Sequence, residues 1–283
     1  MNIVRITILL LLSVLVIADN TCREVTDDLQ CVPQAQKREK GFIPAAYAFY
    51  TPETDIGFGS ALLFFHSRPD DKPDQIGFNG IYTLKNQLSL VAYTNFYLAE
   101  GKYLLSADLR YEKYPQDFYG IGIDAPDEPL STFTPVIGHT EIGLSYRLTD
   151  NTYLGPRLFF HESDEPESCA VCRWKHGRTE WNVASGLGVD LVSDSRSSVF
   201  YPVSGHLLDL ALKGGTGEPG SYIGLTADLR KYHGLGGDNV LAGQFLFSQY
   251  HGKIPFTEYP QLGGSKTMRG YDEGKYRDEM YLA

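Results

Sequence analysis

The sequence predicts an all-β fold: an antiparallel, up-and-down transmembrane β-barrel. Three observations carry this. From Phe42 onward, apolar residues recur with a period of two, the mark of strands with two unlike faces. The opposite face repeatedly carries full charges and glycines, as a wet lumen does and a soluble core does not. Short and long connections alternate along the chain, as they do between the two rims of an outer-membrane barrel.

Four stretches show the alternation most clearly. In 181–191 one face carries Trp181, Val183, Leu187, Val189 and Leu191, against Asn182, Ala184, Gly186, Gly188 and Asp190. In 222–231 Ile223, Leu225, Ala227 and Leu229 oppose Tyr222, Gly224, Thr226, Asp228 and Arg230. In 103–111 Tyr103, Leu105, Ala107, Leu109 and Tyr111 oppose Ser106, Asp108 and Arg110. In 141–148 Ile142, Leu144, Tyr146 and Leu148 oppose Glu141, Gly143, Ser145 and Arg147. Such strands of about 9–12 residues match a tilted membrane crossing. The predicted strands are 43–51, 55–67, 75–84, 87–98, 101–112, 138–149, 151–161, 179–193, 204–213, 221–231, 238–251 and a twelfth from Tyr276. Tyr47, Tyr50, Tyr82, Tyr97, Tyr111, Tyr146, Tyr153 and Tyr250 lie near strand ends, where interfacial girdles form. The long connections are 112–137, 162–178 and 259–275. The segments 67–74 and 194–205 are the longest on the short side.

Composition agrees. The 283 residues include 29 Gly, 19 Tyr and 15 Phe, and the formal net charge is −10. Glycine and aromatics suit a turn-rich β protein, and the negative charge argues against a nucleic-acid partner. The chain opens with Arg5, the apolar run 6–17 and the small Ala18, which together read as a secretory signal. Asp19-Asn20-Thr21 before Cys22 is too polar for a lipoprotein signal. The expected organisation is a signal peptide over 1–18, a short periplasmic tether over 19–41 and a partial barrel over 42–283. In an oxidising compartment the cysteines favour two local disulfides, Cys22–Cys31 and Cys169–Cys172. The rival for the second pair is a metal site completed by His161 and His176. Neither a cofactor nor a metal is expected.

The segment 261–278, QLGGSKTMRGYDEGKYRD, is an unusual polar loop built around one arginine. With three other segments it carries a family resemblance. These are AYAFYTPETDIGFGSALLFF around a Pro-Glu-Thr turn, FYGIGID at 118–124, and DSRSSVFYPVSGH at 194–206 with Asp194, Arg196, Pro202 and Gly205. In this order and at these connections, the four segments resemble the barrel of the BamA/TamA superfamily, the bacterial surface-antigen family of outer-membrane assembly factors.

That resemblance implies a location in the bacterial outer membrane. It also implies a non-enzymatic role in outer-membrane protein insertion or envelope biogenesis. The partners would be outer-membrane lipid and unfolded outer-membrane proteins or lipid clients. It implies that Gly263, Gly264, Met268, Arg269, Gly270 and Tyr271 form an internal-loop motif. Arg269 would fold into the barrel and pair with an inward acid, for which Glu141, Asp190 and Asp228 are candidates. Asp194 and Arg196 would pair within their turn. Family barrels have sixteen strands and periplasmic POTRA domains. The chain ends at Ala283 within the twelfth strand, so the expectation is a C-terminally truncated fragment without POTRA domains. A passive pore, or a surface-exposed antigen or adhesin on the same scaffold, is the alternative. A hydrolase has neither a Gly-x-Ser-x-Gly elbow nor a His-Glu-x-x-His motif to stand on.

Overall fold

A computed structural model describes residues 40–282 except 52–53, 67–71, 123, 165–181, 218–219, 237–238, 256–257, 265–266 and 269. The signal segment, the tether and all four cysteines lie outside these residues. Among those described, the fold is a 12-stranded antiparallel sheet. Its strands are β1 (Lys40–Thr51), β2 (Asp55–His66), β3 (Asp74–Thr83), β4 (Leu88–Leu98), β5 (Tyr103–Lys113), β8 (Val136–Thr149), β9 (Thr152–Asp164), β10 (Asn182–Asp194), β11 (Gly205–Gly217), β12 (Ser221–Gly236), β13 (Asn239–Gly252) and β16 (Met280–Leu282). Each pairs with its neighbour in that order, so the meander is up-and-down throughout. Two small hairpins ride on the connections: β6 (Gln116–Phe118) with β7 (Ser131–Phe133), and β14 (Gln261–Leu262) with β15 (Tyr276–Arg277).

The sheet curls. Phe65 at the end of β2 meets Phe200 in the β10–β11 turn, with ring centroids 6.1 Å apart. Six strand-to-strand steps separate β2 from β10. In a flat sheet, six spacings of about 4.8 Å would hold them roughly 29 Å apart. Nearby, the Lys72 ammonium donates to the Arg196 carbonyl at 2.7 Å and lies 3.5 Å from Asp194 Oδ1. The two longest connections of the short-turn rim are therefore the ones that meet across it.

The faces are inverted relative to a soluble β protein. Ile142, Leu144, Tyr146 and Leu148 are exposed on β8, as are Val183, Leu187 and Val189 on β10 and Ile223, Leu225 and Leu229 on β12. The concave face instead buries Asp190, His161, Ser145, Ser248 and Ala184. Rings on this face lie over cross-strand glycines: Tyr47 over Gly59, Tyr93 over Gly77, Phe159 over Gly186 and Tyr250 over Gly224. Each is a direct register pair. A Cβ at any of these glycines would sit inside the ring, which explains why glycine and aromatics are abundant together.

The tyrosine girdle needs a correction. Tyr50, Tyr82, Tyr111 and Tyr146 are exposed on the apolar face. Tyr97, Tyr153 and Tyr250 point inward and are buried, and Tyr47 packs on inward Gly59. Parity decides this: Tyr250 shares its face with Leu246 and Ser248, both buried. Tyr97 and Tyr153 stack edge-on at 5.7 Å, and the Tyr153 hydroxyl donates to the Gly101 carbonyl at 2.8 Å.

The β10–β11 turn is built around Asp194. Its Oδ1 accepts from Arg196 N and Nε at 3.0 and 2.9 Å, and its Oδ2 accepts from Arg196 Nη2 at 2.8 Å. Gly205 closes the turn at φ 99°, and a Cβ there would lie 2.1 Å from the Ser195 carbonyl oxygen. Both the backbone conformation and the contact exclude a side chain. Gly205→Ala is expected to destabilise the barrel by about 1–3 kcal/mol. Gly243→Ala, where a Cβ meets nothing within 4 Å, is the control in the same denaturant titration.

Candidate functional site

The concave face gathers its charge at mid-strand. Arg157 on β9 is the centre: its Nε donates to Asp190 Oδ2 on β10 at 2.5 Å, and its Nη1 donates to Glu141 Oε2 on β8. A guanidinium suits this place because its rigid fork can serve two carboxylates on two strands at once. Two of the acids singled out from sequence therefore converge on one cation, and that cation is Arg157. Asp228, the third, accepts from Arg230 on its own strand, with Nη2–Oδ2 at 2.5 Å. Arg269 lies outside the described residues, and so does its expected pairing.

Toward the long-loop rim the wall becomes a cage. Lys213 on β11 lies 5.1 Å from the Phe159 ring centroid and 5.2 Å from that of Tyr250. Its ammonium donates to Glu258 Oε2 at 2.7 Å. Glu258 is not on the wall. It belongs to the long connection after β13, which enters the lumen: Ile254, Pro255, Glu258 and Tyr259 are all buried there. Ile254 and Tyr259 join Phe159, Ala184, Tyr222 and Tyr250 in one apolar cluster. A buried carboxylate needs a partner, and Lys213 supplies it.

The same connection is tied at its far end. Arg277 is 2% exposed, and its carbonyl accepts from Gly122 N at 2.8 Å. Gly122 belongs to the β5–β8 connection, whose Tyr119 hydroxyl donates to Asp272 Oδ2 at 2.8 Å. Within the motif, Gly263 and Gly264 take φ 117° and 79°, where glycine is favoured. A Cβ on Gly263 would lie 1.9 Å from the Asp272 carbonyl oxygen. Met268, Gly270 and Tyr271 at the tip are exposed. The loop is thus buried at both ends and solvent-facing at its tip.

Burial alone would push the Glu258 carboxyl up, but Lys213 and then His161 outweigh it and hold it below the ordinary carboxylate range. A group whose folded pKa is depressed stabilises the fold above its unfolded value, about 4.3 for glutamate, and that contribution is lost as pH falls through the folded value. Protease cleavage within 253–278 is therefore expected to accelerate below about pH 4. Glu258→Gln should cleave rapidly at pH 7 and show no such acceleration. Equal rates for the two proteins at pH 7 would dismiss Glu258 as the anchor.

Sequence reasoning missed Arg157, Lys213 and Glu258, and it considered His161 only beside the second cysteine pair, not directly opposite His139. Hairpin register could have found the histidines, because they lie equally far from the turn at Asp150. Nothing in the sequence marks Glu258. A polar cavity of about 430 Å³ opens beside the cluster, lined by Tyr93, Asn95, Asp108, Arg110, His139 and Glu141 among others.

Comparison with known proteins agrees with this architecture. Comparison with curated proteins found no match by sequence. Among solved structures, BamA from Haemophilus ducreyi lacking POTRA domains 1–3 superposes with a TM-score of 0.52 at 13% identity. The match covers 83% of this chain and 46% of that one, so the chain spans about half the length of that relative. The model of the Omp85 superfamily domain matches residues 72–281, which runs from the β2–β3 turn through the inserted loop and on to β16. With an inverted 12-stranded antiparallel sheet and a long connection folded into its lumen, the chain belongs to the Omp85 superfamily.

Proposed function

We propose that the chain works in the bacterial outer membrane as a non-enzymatic assembly factor, assisting insertion of outer-membrane proteins or envelope biogenesis. Its partners are the surrounding lipid and unfolded β-barrel clients. The observation that carries this reading is the connection after β13, buried at both ends in the lumen and pinned by Lys213–Glu258. A pinned loop stiffens one wall and leaves the rest of the sheet to yield laterally. Arg269 is proposed to add to that pinning by folding into the barrel and pairing with an inward acid.

No bond chemistry is part of this reading. Ser195 Oγ lies 2.7 Å from His206 Nδ1, but the two residues close the two ends of one turn. The same Oγ accepts from His206 N at 3.1 Å, and Asp194 is engaged by Arg196. Among the described residues, no acid orients that histidine in the way a nucleophilic dyad needs.

The test is reconstitution of the chain into liposomes with a small unfolded outer-membrane protein, following client folding by heat-shifted gel mobility. Faster folding than in protein-free liposomes is expected, with the gain lost on deleting 261–278. Conductance without accelerated folding would replace this reading with the passive pore, which the polar cavity of about 430 Å³ would then serve.

A further inference from the structure

We propose that His139, His161 and Glu258 form a divalent transition-metal site that staples the inserted loop to the barrel wall. The inference is independent of the insertion reading. One ligand atom from each residue lies within 4.8 Å of the other two. His139 Nδ1 and His161 Nδ1 are 3.1 Å apart, and His161 Nδ1 is 3.2 Å from Glu258 Oε1. In a tetrahedral zinc site with bonds near 2.0–2.1 Å, neighbouring ligand atoms stand about 3.3 Å apart. Two imidazoles and one carboxylate with a fourth position open is a donor set that zinc accepts.

The surroundings fit as well. His139 presents its other nitrogen, Nε2, to Glu141 Oε1 at 3.4 Å. A carboxylate behind a ligating histidine fixes its tautomer and raises its basicity. Glu258 uses Oε2 for Lys213 and keeps Oε1 toward the histidines.

Lys213 opposes a cation here, so the local charge has to decide. Four carboxylates lie on this stretch of wall and loop: Glu141, Asp190, Asp209 and Glu258. They face Arg157 and Lys213, while the nearby Arg110 and Arg230 are matched by Asp108 and Asp228 beside them. With both histidines neutral the group carries two uncompensated negative charges, which a divalent ion would balance. The alternative, a single proton shared between the half-buried His139 and the buried His161, would balance only one of those two charges. The cavity beside His139 and Glu141 gives an ion its way in. Because two ligands sit on adjacent strands and the third on the loop, loading the site would couple metal to loop position.

The experiment is titration of the chelator-treated full chain, folded in detergent, with Co²⁺ as a visible probe and Zn²⁺ as competitor. One equivalent of Co²⁺ should bind with the absorption of a low-coordinate N/O site and be displaced by Zn²⁺. His139→Gln and Glu258→Gln should each weaken binding at least tenfold, roughly the scale for disturbing even a partner behind a ligand. Cys169→Ser with Cys172→Ser should bind as the unaltered chain does. Zn²⁺ should also slow proteolysis within 253–278, and only where all three ligands are present. Heat-modifiable mobility checks that each variant is folded. Glu258→Gln alters only the loop and remains informative if a strand variant fails to fold. The proposal is overturned if the unaltered chain binds no Co²⁺, if Glu258→Gln binds equally well, or if thiolate-to-metal absorption places the ion on the cysteines.

Discussion

Replacing Arg157 with methionine is expected to destabilise the barrel by about 3–5 kcal/mol, the range for removing one partner of a buried ion pair. The side chain is 22% exposed, and the acids it joins are less so, Glu141 at 17% and Asp190 at 3%. Methionine would fill the space but leave both carboxylates in the lumen wall without their cation. The loss comes from two stranded charges more than from two missing bonds. Lysine should rescue poorly, because one ammonium cannot present the divergent donors that reach β8 and β10 together. Adding Glu141→Gln and Asp190→Asn to Arg157→Met should recover much of the loss, since removing all the charges removes the penalty. Denaturant titration of the four proteins in one detergent gives the comparison. A loss below about 1 kcal/mol for Arg157→Met would mean that water penetrates the cluster and that it is no more than an exposed ion pair.

The architecture around this cluster was legible because period-two alternation is a local signal. Runs such as Tyr222–Arg230 assign every residue to a face before any partner is known, and the observed faces follow them. Strand starts follow closely, with Val136–Thr149 for the expected 138–149, but β12 runs five residues past the expected 221–231 to Gly236, and the twelfth strand begins at Met280 because Tyr276 pairs with Leu262 in the small hairpin instead. The hairpin of Gln116–Phe118 with Ser131–Phe133 was not legible. Each arm is only three residues long and sits among the prolines of a long connection.

The site was less legible, for a different reason. Arg157 follows Pro156 in a strand and resembles any lumen-facing charge until Glu141 and Asp190 are brought to it by two separate hairpins. A loop arginine draws attention to the acids that could satisfy it, and away from a cation already on the wall. Glu258 is further still from its partners, 45 residues from Lys213. No periodicity reports where a loop will fold. The girdle tyrosines were misassigned because nearness to a strand end was used where parity should have decided.

Leu187→Arg should separate a membrane barrel from a soluble one. Leu187 is 64% exposed near the middle of β10, between Leu158 at 58% across the ladder and Val189 at 49% along it. On a water-facing surface, such a substitution away from any special feature changes stability by no more than about 0.5 kcal/mol. On the lipid face of a barrel, arginine near the bilayer midplane costs about 2–4 kcal/mol. The reference is Asn95→Lys, which adds the same charge to the lining of the polar cavity and should remain within about 0.5 kcal/mol of the unaltered chain. Stability is measured by reversible denaturation in lipid vesicles, where the outer face meets hydrocarbon. Both substitutions add one positive charge, on opposite faces of the same sheet, so the change in net charge is common to the two. A large loss for Leu187→Arg with little for Asn95→Lys is the signature of a face solvated by lipid. Equal and small effects would mean that the exposed leucines meet water, and the transmembrane reading would fall with them.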